Sequence, residues 1–267
     1  MQKTITYKEV TVAYEDRGKG ACIFFIHGYL ETRGIWNEFT GRLLDGFRVV
    51  AMDLPGHGDS GTWGEVHLME DLAGSIRAIL EAEDLDKVFL VGHSLGGYVT
   101  MAFADLYPER LSGYCLFHST CFADTEEKRQ NRDREISLVR SNKKQQLIHV
   151  NIPRMFADIN LEPFGQQVEK AEKMALTTSN EGIEALLNGM KKRPDRTHVL
   201  RDNGLPLLLI GGAMDNYIPV GVFEKLVVLA PHASVLRLEK SGHIGFIEEP
   251  EPAARAIREK ALDCMSS

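Results

Sequence analysis

Ser94 stands in Gly92-His93-Ser94-Leu95-Gly96, directly after the apolar run Val88 to Val91 and before the helical pattern Tyr98 to Leu106. A serine on so tight a strand-to-helix turn is held in a strained backbone conformation, flanked by small residues because other backbone passes close by. The turn lifts the hydroxyl clear of the sheet, and the helix start at Leu95 offers free N–H groups to an anion. That is the setting of a nucleophile. A serine hydroxyl is weak at neutral pH, so it requires a histidine base and a group to orient that base. Of the nine histidines, His243 lies in Ser241-Gly242-His243-Ile244-Gly245, after the run Val235 to Leu238 and before Glu249-Pro250. Asp215 follows Leu207 to Gly212 in the same way, within Asp215-Asn216-Tyr217-Ile218-Pro219, where an Asp turn accounts for it equally well. Acyl transfer also needs two N–H donors for the developing oxyanion. Leu95 offers one, and Tyr29, in His27-Gly28-Tyr29 at the end of Cys22 to Ile26, offers the second, with His27 as a hydrogen-bonded organiser of that loop.

The elements that must position these groups are short β-rich runs with helical patterns between them. Cys22 to Ile26, Arg48 to Met52, Val88 to Val91, Gly113 to Phe117, Leu207 to Ile210 and Val235 to Leu238 read as strands. Several are apolar throughout, as expected for a parallel sheet covered on both faces. Thr4 to Tyr14 alternates instead and predicts an antiparallel hairpin at the sheet edge. Leu68, Met69, Leu72, Ile76, Ile79 and Leu80 form one apolar stripe on a helix. The succession implies an α/β fold with a doubly wound, mostly parallel sheet, whose ligands sit beyond the carboxyl ends of the strands.

From Ser119 to Arg201 the strand rhythm stops and only helical patterns follow. The expected organisation is a core from 1–118 and 202–267 with an inserted helical unit from 119–201. Asp124 to Lys144, dense in charge of both signs, reads as a solvated helix face. Met155, Phe156, Phe164, Met174, Leu186, Leu187 and Met190 supply apolar surface for helix packing, some of it available to line a pocket if the insertion lies over the sheet as a lid.

Composition agrees with a globular enzyme. The chain has 267 residues, 43% hydrophobic and 26% charged, with a net charge of 31 minus 38, or -7, which argues against a nucleic-acid partner. No apolar run approaches the roughly 20 residues of a membrane span, and no secretory signal opens the chain. Cys22, Cys115, Cys121 and Cys264 form no CxxC pair and read as reduced thiols without a zinc site, so a cytoplasmic location is expected. Nothing distinguishes a monomer from an oligomer.

His27-Gly28, Asp53-Leu54-Pro55-Gly56-His57-Gly58-Asp59-Ser60, the Gly92 to Gly96 turn, Asp215 and Gly242-His243 together resemble the α/β-hydrolase superfamily, in its order of Ser, then Asp, then His. The resemblance implies Ser94 as nucleophile, His243 as base, Asp215 as orienting acid, the N–H groups of Tyr29 and Leu95 as oxyanion hole, and the insertion as a helical cap. It admits Asp124 as a rival acid, since some members carry the acid just before the cap. It places His57 and Asp59 in a loop that shapes the core, and His93 beside the nucleophile. A serine rather than an aspartate nucleophile disfavours the haloalkane dehalogenase and epoxide hydrolase branches.

The implied reaction is hydrolysis of a small-molecule carboxylic ester through an acyl-enzyme, without cofactor or metal. Lactone or carbon–carbon bond hydrolysis by the same triad is the alternative, and a hydrolase-fold small-molecule receptor is the reading of another class. Tyr29, Trp36, Tyr98, His118, Ile218 and Ile244 flank the catalytic positions and predict a mainly apolar substrate pocket. His118 serves equally as a hinge residue bonded to backbone. No basic cluster adjoins Ser94 in sequence, although Arg134, Arg140 or Arg154 could fold back from the insertion.

Overall fold

The computed structural model describes residues 1–265; the last two positions of the expected core, 266 and 267, lie outside the described residues. Eight strands form one sheet: β1 (Gln2–Tyr7), β2 (Val10–Gly18), β3 (Ala21–Ile26), β4 (Phe47–Met52), β5 (Val88–His93), β6 (Leu111–Phe117), β7 (Leu207–Gly212) and β8 (Ser234–Leu238), in the order β1-β2-β4-β3-β5-β6-β7-β8. From β4 to β8 every pairing is parallel. The α/β, mostly parallel fold expected from the sequence is therefore the one observed. β1 and β2 form the edge hairpin, closed by a two-residue turn in which Lys8 and Glu9 both take positive φ (48° and 64°), the twist that suits tightly linked antiparallel strands.

The helices are α1 (Asn37–Thr40), α2 (Met69–Ala82), α3 (Leu95–Leu106), α4 (Glu126–Arg140), α5 (Lys144–Asn151), α6 (Gly165–Leu176), α7 (Asn180–Lys192), α8 (Thr197–Asp202), α9 (Val220–Leu229), α10 (Gly245–Glu248) and α11 (Pro250–Met265). Of the stripe read from Leu68 to Leu80, Met69, Leu72, Ile76, Ile79 and Leu80 form the buried face of α2, whereas Leu68 precedes the helix as its N-cap and is exposed. Strands β3, β5, β6 and β7 are buried along almost their whole length, which explains their unbroken apolar runs.

Between β6 and β7 the chain forms only helices and helical turns, α4 to α8. The last of them runs to Asp202, one residue past the expected boundary, and stops before Gly204 (φ 64°) and Pro206. Capping fixes two starts: the Thr125 hydroxyl accepts from Lys128 N–H at α4, and the Ser179 hydroxyl from Gly182 N–H at α7. Gly182 and Gly189 lie on one face of α7, and a side chain at either would collide with the carbonyl of Gly56 or of His67. Backbone-to-backbone contact thus docks the insertion on the loops that follow β4.

Candidate active site

The register aligns Ile26 with Gly92, His93 with Phe117, Phe117 with Ile210 and Gly212 with Leu238. The loops leaving β3, β5, β7 and β8 therefore emerge at one edge of the sheet, and they carry Tyr29, Ser94, Asp215 and His243.

Ser94 occupies φ 50°, ψ −112°, a conformation that is costly for a residue with a Cβ. Its surroundings enforce it. Ser94 N–H donates to the Phe117 carbonyl (3.1 Å) and its own carbonyl accepts from the Ser119 hydroxyl (2.7 Å), so β6 holds the turn from one side. A methyl group on Gly92 would strike the Thr100 hydroxyl and the Gly96 carbonyl, and one on Gly96 would strike the Ile26 carbonyl. The two glycines of the motif are space requirements.

His243 directs Nδ1 at the Asp215 carboxylate, 3.0 Å from Oδ1 and 2.8 Å from Oδ2. Asp215 Oδ1 also accepts the N–H groups of Tyr217 (2.7 Å) and Ile218 (2.9 Å). His118 contributes a second imidazole: Gly245 N–H points at its Nε2 (3.1 Å) and Gly212 N–H at its Nδ1 (3.2 Å), and Nδ1 lies 3.2 Å from Asp215 Oδ2. Burial alone would raise Asp215; the charge of His243 and the hydrogen bonds from both histidines outweigh it and hold the carboxyl far below the ordinary range. Burial pushes His118 down to about 4 against the pull of Asp215, so it stays neutral at pH 7. His118, Asp215 and His243 place ligand atoms within 4.8 Å of one another, a spacing that a metal could bridge. Within the protein, both carboxylate oxygens and both Nδ1 atoms already have polar partners.

A buried ion pair ties the loops together. Glu31 Oε2 accepts the Gly28 N–H and lies 3.0 Å from His93 Nδ1, while His93 Nε2 donates to the His243 carbonyl (2.8 Å). Burial opposes charge on each partner, but their mutual attraction raises His93 and lowers Glu31 from their ordinary values. One pair thus connects the Tyr29 loop, the Ser94 strand and the His243 loop. On the Tyr29 side, Leu54 N–H donates to His27 Nε2 (2.9 Å) and Leu30 N–H to His57 Nε2 (3.1 Å), so both imidazoles organise backbone. Asp59 is exposed and pairs with Arg33 (2.7 Å).

These groups open on a cavity of about 660 Å³ to which Ser94, His243, Tyr29, Tyr98 and Ile218 contribute from the core, and α4, α5 and Met155 from the insertion. The insertion also contacts the His243 loop directly: His243 N–H donates to the Met155 carbonyl (2.6 Å), and Tyr217, whose ring lies 5.0 Å from that of His243, donates its hydroxyl to the Asn151 carbonyl (2.9 Å).

Four expectations need correction. Trp36 is fully buried away from the cavity, its ring 4.3 Å from Phe246 and 5.0 Å from Phe25, because an aromatic cluster beneath the site gives its large surface more contact than a wet cavity would. His118 and Ile244 are likewise fully buried, His118 committed to Asp215 and Gly245 and Ile244 to the core. Asp124, the rival acid, accepts from Arg132 and Arg193 and takes no part in the His243 contacts. Finally, the charged helix α4 is not merely solvated: Lys128, Asn131, Arg132, Glu135 and Leu138, at helical spacing, face the cavity. The cavity keeps the mainly apolar lining expected and adds these charged groups to it. The Glu31–His93 pair escaped the sequence reading, because 62 residues separate its members and neither sits in a motif that names the other.

The profile of the alpha/beta hydrolase family matches residues 23–256, and the chain belongs to that family. A thermophilic esterase from Thermogutta terrifontis superposes with a TM-score of 0.93 at 30% identity over 99% of both chains. An enol-lactonase from Burkholderia xenovorans LB400 shares the fold at a TM-score of 0.88 and 19% identity, covering 99% of this chain and 100% of that one. Among curated proteins, the pimeloyl-[acyl-carrier protein] methyl ester esterase of Yersinia enterocolitica is 27% identical over 90% of this chain and 93% of its own length. The acetyltransferase component of the acetoin cleaving system of Pseudomonas putida is 28% identical over 87% of this chain, which spans only 61% of that protein's length. No helix among the described residues is long and apolar enough to cross a membrane.

Proposed function

We propose that the protein hydrolyses carboxylic esters of small or medium size through an acyl-enzyme on Ser94. The observation that carries this reading is the His243 imidazole, aligned by Asp215 at 2.8 Å, on the same cavity as a serine held at positive φ on a strand-to-helix turn. Asp215 holds the Nδ1–H tautomer and leaves Nε2 for proton traffic. Ser94 Oγ attacks the ester carbonyl as its proton passes to His243 Nε2, and the oxyanion is received by the N–H groups of Tyr29 and Leu95. The tetrahedral adduct collapses when His243 returns that proton to the departing alkoxide. Water, deprotonated by His243, then attacks the acyl-Ser94 carbonyl, and the second adduct collapses as His243 returns the proton to Ser94 Oγ, breaking the acyl–Oγ bond and releasing the acid. The helical insertion acts as a cap that shapes the acyl pocket, and the esterases among the relatives support this chemistry.

The test is multiple-turnover hydrolysis of p-nitrophenyl esters from acetate to decanoate, with fluorophosphonate labelling followed by intact mass. Ser94→Ala is expected to remove both turnover and the mass adduct. Labelling of Ser94 without ester turnover would shift the substrate to a lactone or a carbon–carbon bond; normal turnover by a folded Ser94→Ala would overturn the assignment.

A further inference from the structure

The inner face of the insertion carries more positive charge than it neutralises. Arg132 and Arg193 share the single carboxylate of Asp124. Arg132 lines the cavity together with Lys128, Arg134 and Arg154, and among the described residues none of these last three has a carboxylate at ion-pairing distance. Arg134 donates to the Asn131 side chain (2.7 Å) and the Arg154 guanidinium lies 5.7 Å from the centre of the Tyr217 ring. Among the described residues that line the cavity, four are cationic, Lys128, Arg132, Arg134 and Arg154, against the single carboxylate of Glu135, in a chain whose net charge is -7. Arg140, on the same helix, instead turns out to Glu184 (2.7 Å).

The surplus is localised. Arg193 stacks on the ring of Tyr98 at 3.8 Å, and its charge, helped by those of Lys128 and Arg132, lowers this buried phenol against the effect of burial. Tyr98 follows Ser94 by four residues on α3, about one 5.4 Å helical turn away. A half-buried lysine without a counter-ion has lost part of its hydration and has gained no partner, so an incoming anion that pairs with it is favoured.

We propose that this wall is a subsite for an anionic group on the substrate, a carboxylate or phosphate carried on the acyl or alcohol part of the ester, with Lys128 as its principal contact. The reading rests on ester hydrolysis at Ser94 and adds the substrate class. Leu138, Leu147 and Ile152 supply apolar lining for the methylenes between the ester and its anion.

The experiment compares kcat/KM for p-nitrophenyl pentanoate and mono-p-nitrophenyl glutarate, matched in length and differing in the terminal carboxylate. The expected result is at least about a tenfold preference for the glutarate at low ionic strength that declines with added salt, and a preference at least fivefold smaller in Lys128→Ala. Ser94-dependent turnover with no such preference overturns the subsite and leaves ester hydrolysis standing. If neither ester turns over, protection of Ser94 from fluorophosphonate by glutarate or by butyl phosphate decides. Protection that Lys128→Ala abolishes supports the subsite, and the better protector identifies carboxylate or phosphate; no protection by either overturns it. If Ser94 does not label at all, the ester-hydrolase reading fails, and calorimetric titration of both anions into wild type and Lys128→Ala judges the subsite alone.

Discussion

Replacing Glu31 with Gln removes one charge from a pair whose side chains are 3% and 0% exposed. Breaking a buried ion pair by neutralising one member costs about 3–5 kcal/mol, because the remaining charge is left desolvated. Glutamine keeps a carbonyl that can still accept from Gly28 N–H or His93 Nδ1–H, which puts the expected loss near the lower end, about 3 kcal/mol. For a chain of this length that lowers Tm by roughly 6–12 °C. The pH dependence is more diagnostic than the size. Glu31 is lowered in the folded protein, so its contribution is present above the ordinary carboxyl range near 4.5 and is lost as pH falls through its folded value. His93 is raised, so its contribution is complete below the ordinary imidazole value near 6.5 and is lost as pH rises through its folded value. The stability gap between wild type and Glu31→Gln should therefore be widest between about pH 4.5 and 6.5 and should narrow on both sides. Urea unfolding from pH 4 to 9 measures it. A gap below about 0.5 kcal/mol, or one independent of pH, would refute a charged pair between these side chains. Because the pair also holds the Tyr29 and His243 loops, kcat should fall more than KM rises.

Further outcomes follow from the site and its supports. Asp215→Asn should lower kcat by about 10⁴, since an amide no longer fixes the Nδ1–H tautomer of His243, as read in steady-state ester hydrolysis. Asp124→Asn should instead act on stability, by leaving Arg132 and Arg193 without their shared carboxylate, with a kcat loss far smaller than that of Asp215→Asn; the reverse ranking would exchange their roles. Trp36→Ala should cost about 3–5 kcal/mol in denaturant unfolding, as a cavity in the aromatic cluster, while KM for p-nitrophenyl esters changes by less than about twofold.

The sequence by itself determined the strands of the sheet: buried strands require unbroken apolar runs, as in β3, β5 and β7, and the six runs read from Cys22, Arg48, Val88, Gly113, Leu207 and Val235 are six of the eight strands. It also pointed to Ser94, Asp215 and His243, because each stands just past the carboxyl end of a strand, and a parallel sheet brings such positions to one edge. The helical character of the insertion was legible for the same local reason, the loss of strand patterning between 119 and 201.

Tertiary structure decided what depends on which residues meet. Trp36, His118 and Ile244 lie close to motif residues in sequence yet face the core, since proximity along the chain does not say to which side of the strand ends a side chain turns. Which aspartate meets His243 was decided by packing, which sets Asp215 2.8 Å from its Nδ1 and turns Asp124 to Arg132 and Arg193. The Glu31–His93 link and the cationic wall needed loops and helices from distant segments to pack together, and the periodicity of α4 alone could not tell a solvated face from one that closes over a cavity. Hydrophobic patterning is a local property that fixes elements; charge pairing and cavity walls are properties of the packed whole.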